Sequence, residues 1–88
     1  MTLEEFVNSL NLPIEGKYLN NEYRIQVNSS NEFAQIFDSI ALNTNLNALD
    51  DSIATEDETL FVYTDGYFEV RLEADYNKDV YSITVGER

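Results

Sequence analysis

The amino-acid sequence predicts an α+β fold, in which two or three short helices pack on one face of an antiparallel sheet. Residues 59–85 alternate between apolar and polar side chains, and turn residues interrupt them at 65–66 and 77–78, which is typical of a three-stranded meander. Two segments, beginning at Thr2 and at Ser29, combine a capping box with an apolar stripe at helical spacing, which predicts helices. With 88 residues, the chain has the size of a single domain.

The first helix is expected from about Leu3 to Leu10. Thr2 and Glu5 have the spacing of a capping box, in which each side chain accepts a hydrogen bond from the backbone N–H of the other residue. The helix ends before Pro13, because the residue that precedes a proline disfavours the helical conformation. The helix contains no lysine or arginine, so we expect it to pack on the sheet rather than lie on a membrane surface.

An N-terminal hairpin is expected over residues 17–27, around a turn at Asn20-Asn21. Asparagine adopts the left-handed conformation of such a turn more readily than most residues. This register brings Lys17 opposite Arg24, a pair of like charges that is mildly unfavourable. The side chains expected to point inward are Tyr18, Tyr23, Ile25 and Val27.

The second helix is expected from about Asn31 to Leu42, behind a capping box formed by Ser29 and Glu32. Its apolar stripe consists of Phe33, Ile36, Phe37 and Ile40. Such a stripe is typical of a helix that faces a hydrophobic core, and we expect this helix to lie across the sheet.

The segment at 43–58 is the least regular part of the sequence. Leu46, Leu49 and Ile53 follow each other at i, i+3 and i+7, which permits a short third helix. Five carboxylates accompany them. A loop of this length with its own charge is either functional or loosely ordered.

The three strands of the meander are expected at 59–64, 67–75 and 80–85. A two-residue turn of type I′ at the Asp-Gly pair aligns Tyr63 with Phe68. A two-residue turn in the second hairpin aligns Leu72 with Ile83, and both turns keep the apolar residues on one face. The expected core consists of Phe6, Leu10, Ile25, Phe33, Ile36, Phe37, Phe61, Phe68, Val70, Leu72 and Ile83. The opposite face of the meander carries Glu69, Arg71, Glu73, Asp75, Ser82 and Thr84.

The residue inventory argues against catalysis. The chain contains no histidine and no cysteine, which removes the commonest general bases, nucleophiles and transition-metal ligands. Its three glycines form no phosphate-binding loop. Paired carboxylates are able to act as acid and base, but a chain this short builds no deep cleft around them. We therefore predict that the protein is not an enzyme and uses no cofactor.

The carboxylates at 50–51 and 56–58 are the candidate calcium ligands, because calcium prefers oxygen ligands. The EF-hand spacing, with acidic residues at alternate positions followed by a glycine and a final glutamate, is absent. Weak adventitious binding is the most that this pattern suggests. We predict no dedicated metal site.

The charge of the chain is its most unusual property. Seventeen acidic residues stand against five basic ones, a net charge of −12, and residues 50–79 hold ten of the acids and two of the bases. Such a surface repels nucleic acids and anionic membranes, and its natural partner is a basic protein surface. The candidate partner-binding residues are Asp50, Asp51, Glu56, Asp57, Glu58, Asp65, Tyr67, Glu69, Glu73 and Asp75.

Three of these carboxylates lie on one face of a single predicted strand. Glu69, Glu73 and Asp75 point to the same side of it, and Glu69 lies roughly 13–14 Å from Glu73 at the normal rise of a strand. A rigid sheet that holds carboxylates in a line presents a basic groove with a substitute for a row of phosphates.

In size, acidity, α+β organisation and lack of a catalytic inventory, the whole chain resembles the small acidic inhibitors of phages and other mobile elements. Among these are DNA-mimic proteins and anti-CRISPR inhibitors of Cas nucleases. The resemblance is one of class, and no family site is carried over from it. It implies a non-enzymatic inhibitor that occupies the nucleic-acid-binding or PAM-reading surface of a nuclease. We expect it in the cytoplasm of the host cell, since the sequence shows no signal peptide, membrane span or cysteine.

The alternative is a small adaptor or binding module whose acidic face is merely solvated. In that interpretation, binding uses an apolar patch formed by Leu60, Val62 and Tyr67, which lie on the meander face opposite the predicted core. Such a patch requires either a covering element or a partner.

Overall fold

The computed structural model describes residues 1–49 and 52–88, and within them it is an α+β fold with an open antiparallel sheet of seven strands and two helices. The helices are α1 (Leu3–Ser9) and α2 (Ser30–Ala41). The strands are β1 (Lys17–Leu19), β2 (Glu22–Val27), β3 (Asn47–Ala48), β4 (Ile53–Ala54), β5 (Glu58–Thr64), β6 (Phe68–Asp75) and β7 (Val80–Glu87). No helix among the described residues has the length and apolar character needed to cross a bilayer.

Both helices begin as their capping residues predict. Thr2 and Glu5 form the complete capping box of α1, and the Ser29 hydroxyl accepts a hydrogen bond of 3.2 Å from the backbone N–H of Glu32 at the start of α2. These bonds satisfy backbone donors that have no partner inside a helix.

The strand order is β1-β2-β7-β6-β5-β3, and β4 also pairs with β5. The N-terminal hairpin therefore joins the meander along β7, which lies between β2 and β6. In this arrangement Ile83 is aligned with Ile25 on one side and with Leu72 on the other. These three side chains are almost fully buried, and they mark the centre of the core.

The core fills the space between one face of the sheet and the two helices, as predicted. The rings of Phe6 from α1 and Phe68 from β6 stack with their centroids 4.9 Å apart. Nine of the eleven predicted core residues are buried. The other two, Phe37 and Phe61, are partly buried at the edge of the core, and their rings contact each other edge-to-face with the centroids 5.1 Å apart.

The face of the sheet opposite the helices is called the open face here, because neither α1 nor α2 covers it. Strand alternation and register assign to it Lys17, Leu19, Glu22, Arg24, Gln26, Leu60, Val62, Glu69, Arg71, Glu73, Asp75, Ser82 and Thr84. The predicted polar face of the meander is thus confirmed as part of a larger surface.

The N-terminal hairpin has the predicted register, with Lys17 aligned with Arg24. Both turn residues adopt positive φ values, 52° at Asn20 and 65° at Asn21. Tyr18 is aligned with buried Tyr23 and therefore faces the side of the sheet that carries the helices, as predicted, but 51% of it is exposed. It lies on a three-residue edge strand, where its ring packs on that of Tyr23 with the centroids 4.8 Å apart.

The β5–β6 hairpin differs from its predicted register by two residues. Tyr63 is aligned with Val70 rather than with Phe68, so the connection is a four-residue loop instead of a type I′ turn. The side chain of Asp65 explains the change, because its Oδ1 accepts hydrogen bonds of 2.9 Å from the backbone N–H groups of Tyr67 and Phe68. A shift of two residues keeps the same side chains on the same face.

The β6–β7 hairpin has the predicted register, with Leu72 aligned with Ile83. The optional third helix does not form among the described residues of this segment, which instead contain the short strands β3 and β4 along β5. Leu46 is buried and Ile53 is exposed, so the two do not share a face as a helix would require. Pairing with β5 satisfies backbone groups that would otherwise be left at a sheet edge.

Candidate binding surface

Five of the predicted partner-binding residues lie together at one corner of the sheet. This acidic corner consists of Glu56, Asp57, Glu58, Glu73 and Asp75. Glu58 is aligned with Asp75 across the β5–β6 ladder, and Glu73 is aligned with Leu60, two residues further along β5. The backbone carbonyl of Asp57 accepts a hydrogen bond of 2.8 Å from Tyr76, which follows β6. The corner is therefore held by backbone bonds on both sides.

A threonine builds the tip of the acidic corner. The Thr55 hydroxyl accepts hydrogen bonds from the backbone N–H groups of Asp57 and Glu58, at 3.2 and 3.1 Å. The N–H of Thr55 in turn donates to the carbonyl of Glu58 at 2.8 Å. This closed turn joins β4 to β5 and leaves the carboxylates of Glu56, Asp57 and Glu58 exposed to solvent.

A shallow cavity of about 270 Å³ lies beside the corner. Glu58, Glu73 and Asp75 line it together with two apolar side chains, Leu60 and Val80. Val80 is exposed on its own strand and Leu60 is half-buried. The corner thus offers carboxylates around a small apolar floor, an arrangement that suits the aliphatic stem and cationic head of a lysine or arginine.

Glu69 and Glu73 lie on the same face of β6, as predicted, but Arg71 stands between them. Its Nε lies 3.5 Å from Oε1 of Glu73. Both side chains are about half exposed, so this ion pair contributes little to stability and leaves Glu73 accessible. Glu69 belongs to the far end of the strand, away from the corner.

Asp65 and Tyr67 are also outside the corner, in the loop between β5 and β6. The carboxylate of Asp65 is engaged in the turn, whereas Tyr67 is 79% exposed. Asp75 has a similar structural bond, because its Oδ1 accepts from the N–H of Lys78 at 3.1 Å. The predicted site residues Asp50 and Asp51 lie outside the described residues.

One further acid, Asp79, belongs to the same end of the sheet, although it was not among the predicted site residues. Its carboxylate lies beside the Tyr81 hydroxyl and raises the pKa of that group above its usual value, because the neutral phenol donates a hydrogen bond to the acid. Within the described residues, no three acidic side chains are grouped so as to hold a metal ion.

Comparisons of the chain with protein families, with curated proteins and with solved structures find no match. Interpretation of the surface therefore depends on its geometry and charge.

The proposed apolar patch is smaller than the sequence suggested. Val62 lies on the open face, but only 5% of it is exposed. Leu60 is half-buried, and Tyr67 stands apart in the loop after β5. The three residues therefore do not form a continuous exposed apolar surface.

Proposed function

We propose that this protein is a non-enzymatic acidic inhibitor that binds the basic nucleic-acid-binding surface of another protein, such as a Cas or other nuclease. The acidic corner is the proposed contact. It replaces the phosphates that the target would otherwise bind, and the target cannot hold DNA or RNA at the same surface. The protein acts in the cytoplasm of the host cell in this proposal.

The observation that supports the proposal best is the grouping of carboxylates at the acidic corner. Glu58 and Asp75 occupy adjacent strands, and the turn before β5 adds Glu56 and Asp57. The hydrogen bonds at Thr55 and Asp57 fix the main chain of the corner, which lowers the entropy lost on binding because the turn itself does not have to be ordered. Long-range attraction between opposite charges also raises the rate of association.

The line of carboxylates along β6 supports the proposal less strongly. Arg71 separates Glu69 from Glu73, and a cation at that point opposes a continuous row of phosphate-like charges. We therefore assign the main contact to the corner and give Glu69 a minor role. The adaptor interpretation relies on Leu60 and Tyr67, whose separation offers little common area for a partner.

The proposal is tested by capture of targets on the immobilised protein, from a lysate of the cells in which it is active. We expect the captured proteins to be nucleic-acid-binding proteins. Added duplex DNA or RNA should displace them, and raising the salt concentration should release them, because the contacts are ionic and exposed.

A charge-reversed pair distinguishes the acidic corner from net charge. Glu58→Lys/Glu73→Lys should abolish capture. The control Glu4→Lys/Asp38→Lys makes the same change in net charge at exposed positions of the two helices, and this variant should still capture most of the target. Equal loss in both variants would show that net charge alone is responsible. Capture that resists salt, nucleic acid and the corner variant would refute the proposal.

A further inference from the structure

The open face also contains a groove over β1, β2 and β7, which shares Ser82 with the cavity beside the acidic corner. Its volume is about 720 Å³, which falls in the range of about 300–1,000 Å³ that is typical of small-molecule sites. Gly16 forms part of its wall and allows the chain to approach β2 closely. A Cβ at this position would overlap the Arg24 carbonyl and lie 2.9 Å from Cγ1 of Ile25.

Two basic side chains are cross-strand neighbours in this groove. Lys17 and Arg24 both line it and are aligned on neighbouring strands. Like charges in this position are destabilising by themselves. Arg24 is partly compensated by Glu22, whose Oε2 lies 3.1 Å from its guanidinium, whereas Lys17 has no ion pair with any described residue. An anion between the two cations would convert a repulsive contact into two attractive ones.

Three neutral hydrogen-bonding side chains lie next to these cations. Thr84 is aligned with Arg24, Gln26 is aligned with Ser82, and all of them line the groove. The side chains of Gln26, Ser82 and Thr84 form no hydrogen bond with the described part of the chain. They are therefore available as donors and acceptors for a ligand.

Three basic side chains of the open face stand in one row. Lys17, Arg24, Thr84 and Arg71 are successive partners across four adjacent strands, so three of the five basic residues of the chain stand in one row. Glu15 also lines the groove and repels an anion from its own position. Arg24 and Arg71 have ion pairs with Glu22 and Glu73, so Lys17 is the cation of this row that has no ion pair among the described residues.

We propose that the groove binds a small molecule that carries an oxyanion, either a phosphate or a carboxylate group, between Lys17 and Arg24. The guanidinium and ammonium groups hold the oxyanion through charge-assisted hydrogen bonds. Gln26, Ser82 and Thr84 contact the polar remainder of the ligand. The two cations of this site are not part of the acidic corner, and the site does not depend on the proposed inhibition of a nucleic-acid-binding protein.

The test is a titration of the ¹⁵N-labelled protein with inorganic phosphate, and separately with acetate, at an ionic strength kept constant with sodium chloride. We expect saturable shifts of the backbone amides at 16–17, 24–26 and 82–84. Saturation with phosphate alone identifies a phosphate-bearing ligand, and saturation with acetate alone identifies a carboxylate. The absence of saturable shifts with both anions would overturn the proposal.

Three variants, each of which removes one positive charge, complete the test. Lys17→Gln and Arg24→Gln should each weaken binding by about tenfold, which corresponds to about 1.4 kcal/mol. Lys78→Gln removes a base from the β6–β7 turn, outside the groove, and should leave the affinity unchanged. Equal weakening by Lys78→Gln would show non-specific attraction and overturn the site. All three side chains are exposed, and unchanged melting temperatures would verify that the variants fold.

Discussion

Glu58 and Asp75 are aligned on neighbouring antiparallel strands, so the acidic corner contains a cross-strand pair of like charges. Such a pair is unfavourable in the isolated protein. A basic partner placed over the corner would reverse that contribution. The corner is therefore a feature that lowers stability while it raises the capacity for ionic binding.

We expect Glu58→Gln to raise the free energy of unfolding by about 0.2–1 kcal/mol, because it removes the repulsion from Asp75. Urea denaturation at low salt measures the change, and the difference should shrink in 1 M sodium chloride, where the screening length is about 3 Å. Glu4→Gln is the control. It should not raise the free energy of unfolding, since a carboxylate in the first turn of α1 favours the helix. A loss of stability in Glu58→Gln would contradict this account of the corner.

Leu72→Ala should lower the free energy of unfolding by about 2–5 kcal/mol, because Leu72 is 0% exposed and its removal leaves a cavity between the sheet and the helices. Chemical denaturation measures this loss. Arg71→Ala, one residue earlier on the open face, should change stability by less than about 1 kcal/mol. The opposite ranking would mean that the two faces of β6 are exchanged.

Gly16→Ala should destabilise the protein by about 1–3 kcal/mol, because the added methyl group meets the backbone of Arg24, which cannot move without distorting β2. Gly86→Ala is the matched control. There the methyl group would lie 3.4 Å from the flexible side chain of Glu22, so little loss is expected. The melting temperatures of the two variants compare these effects, and equal values would refute the close approach at Gly16.

Glu5→Ala should lower the melting temperature more at pH 7 than at pH 3. Hydrogen bonds from the backbone and side chain of Thr2 hold the pKa of Glu5 below its usual value of 4.5. The ionised carboxylate is thus favoured in the folded state, so its stabilisation is present above the unfolded-state pKa and is lost as the pH falls through the lower folded-state pKa. Glu15→Ala, in the exposed loop before β1, controls for removal of one carboxylate. A loss that does not depend on pH would contradict the ionic contribution of the capping box.

Structural features that depend on residues close together in the sequence were predictable. The capping boxes specified where both helices begin, and the asparagine pair specified the register of the first hairpin. In the loop after β5, by contrast, the side chains of Thr64 and Asp65 form hydrogen bonds with the backbone of the loop. Asp65 accepts from the N–H groups of Tyr67 and Phe68. The Thr64 hydroxyl donates to the Phe68 carbonyl at 2.6 Å and accepts from the N–H of Gly66 at 2.9 Å. Together these side-chain bonds stabilise a four-residue loop in place of the type I′ turn that Asp-Gly favours.

The composition of the site was predictable, but its arrangement was not. The register expected for the first meander hairpin would have aligned Glu58 with Glu73, whereas the observed loop aligns it with Asp75. The row of cations depends on contacts that are distant in sequence, because Arg24 and Arg71 meet only through Thr84 of β7. The local periodicity of the sequence does not indicate that strand order. The net charge does not indicate the row of basic residues either, because the chain as a whole is strongly acidic.

The position of β7 between β2 and β6 has a consequence for synthesis on the ribosome. The hairpin at 17–27 is made before the strand that covers its inner edge, which follows the other six strands in the chain, and Ile25 has no sheet partner until Ile83 has emerged. Contacts of such large sequence separation form slowly, because a long loop has to close before they contribute. We expect the nascent chain to remain incompletely packed until residues 80–87 leave the exit tunnel, and then to assemble in one cooperative step.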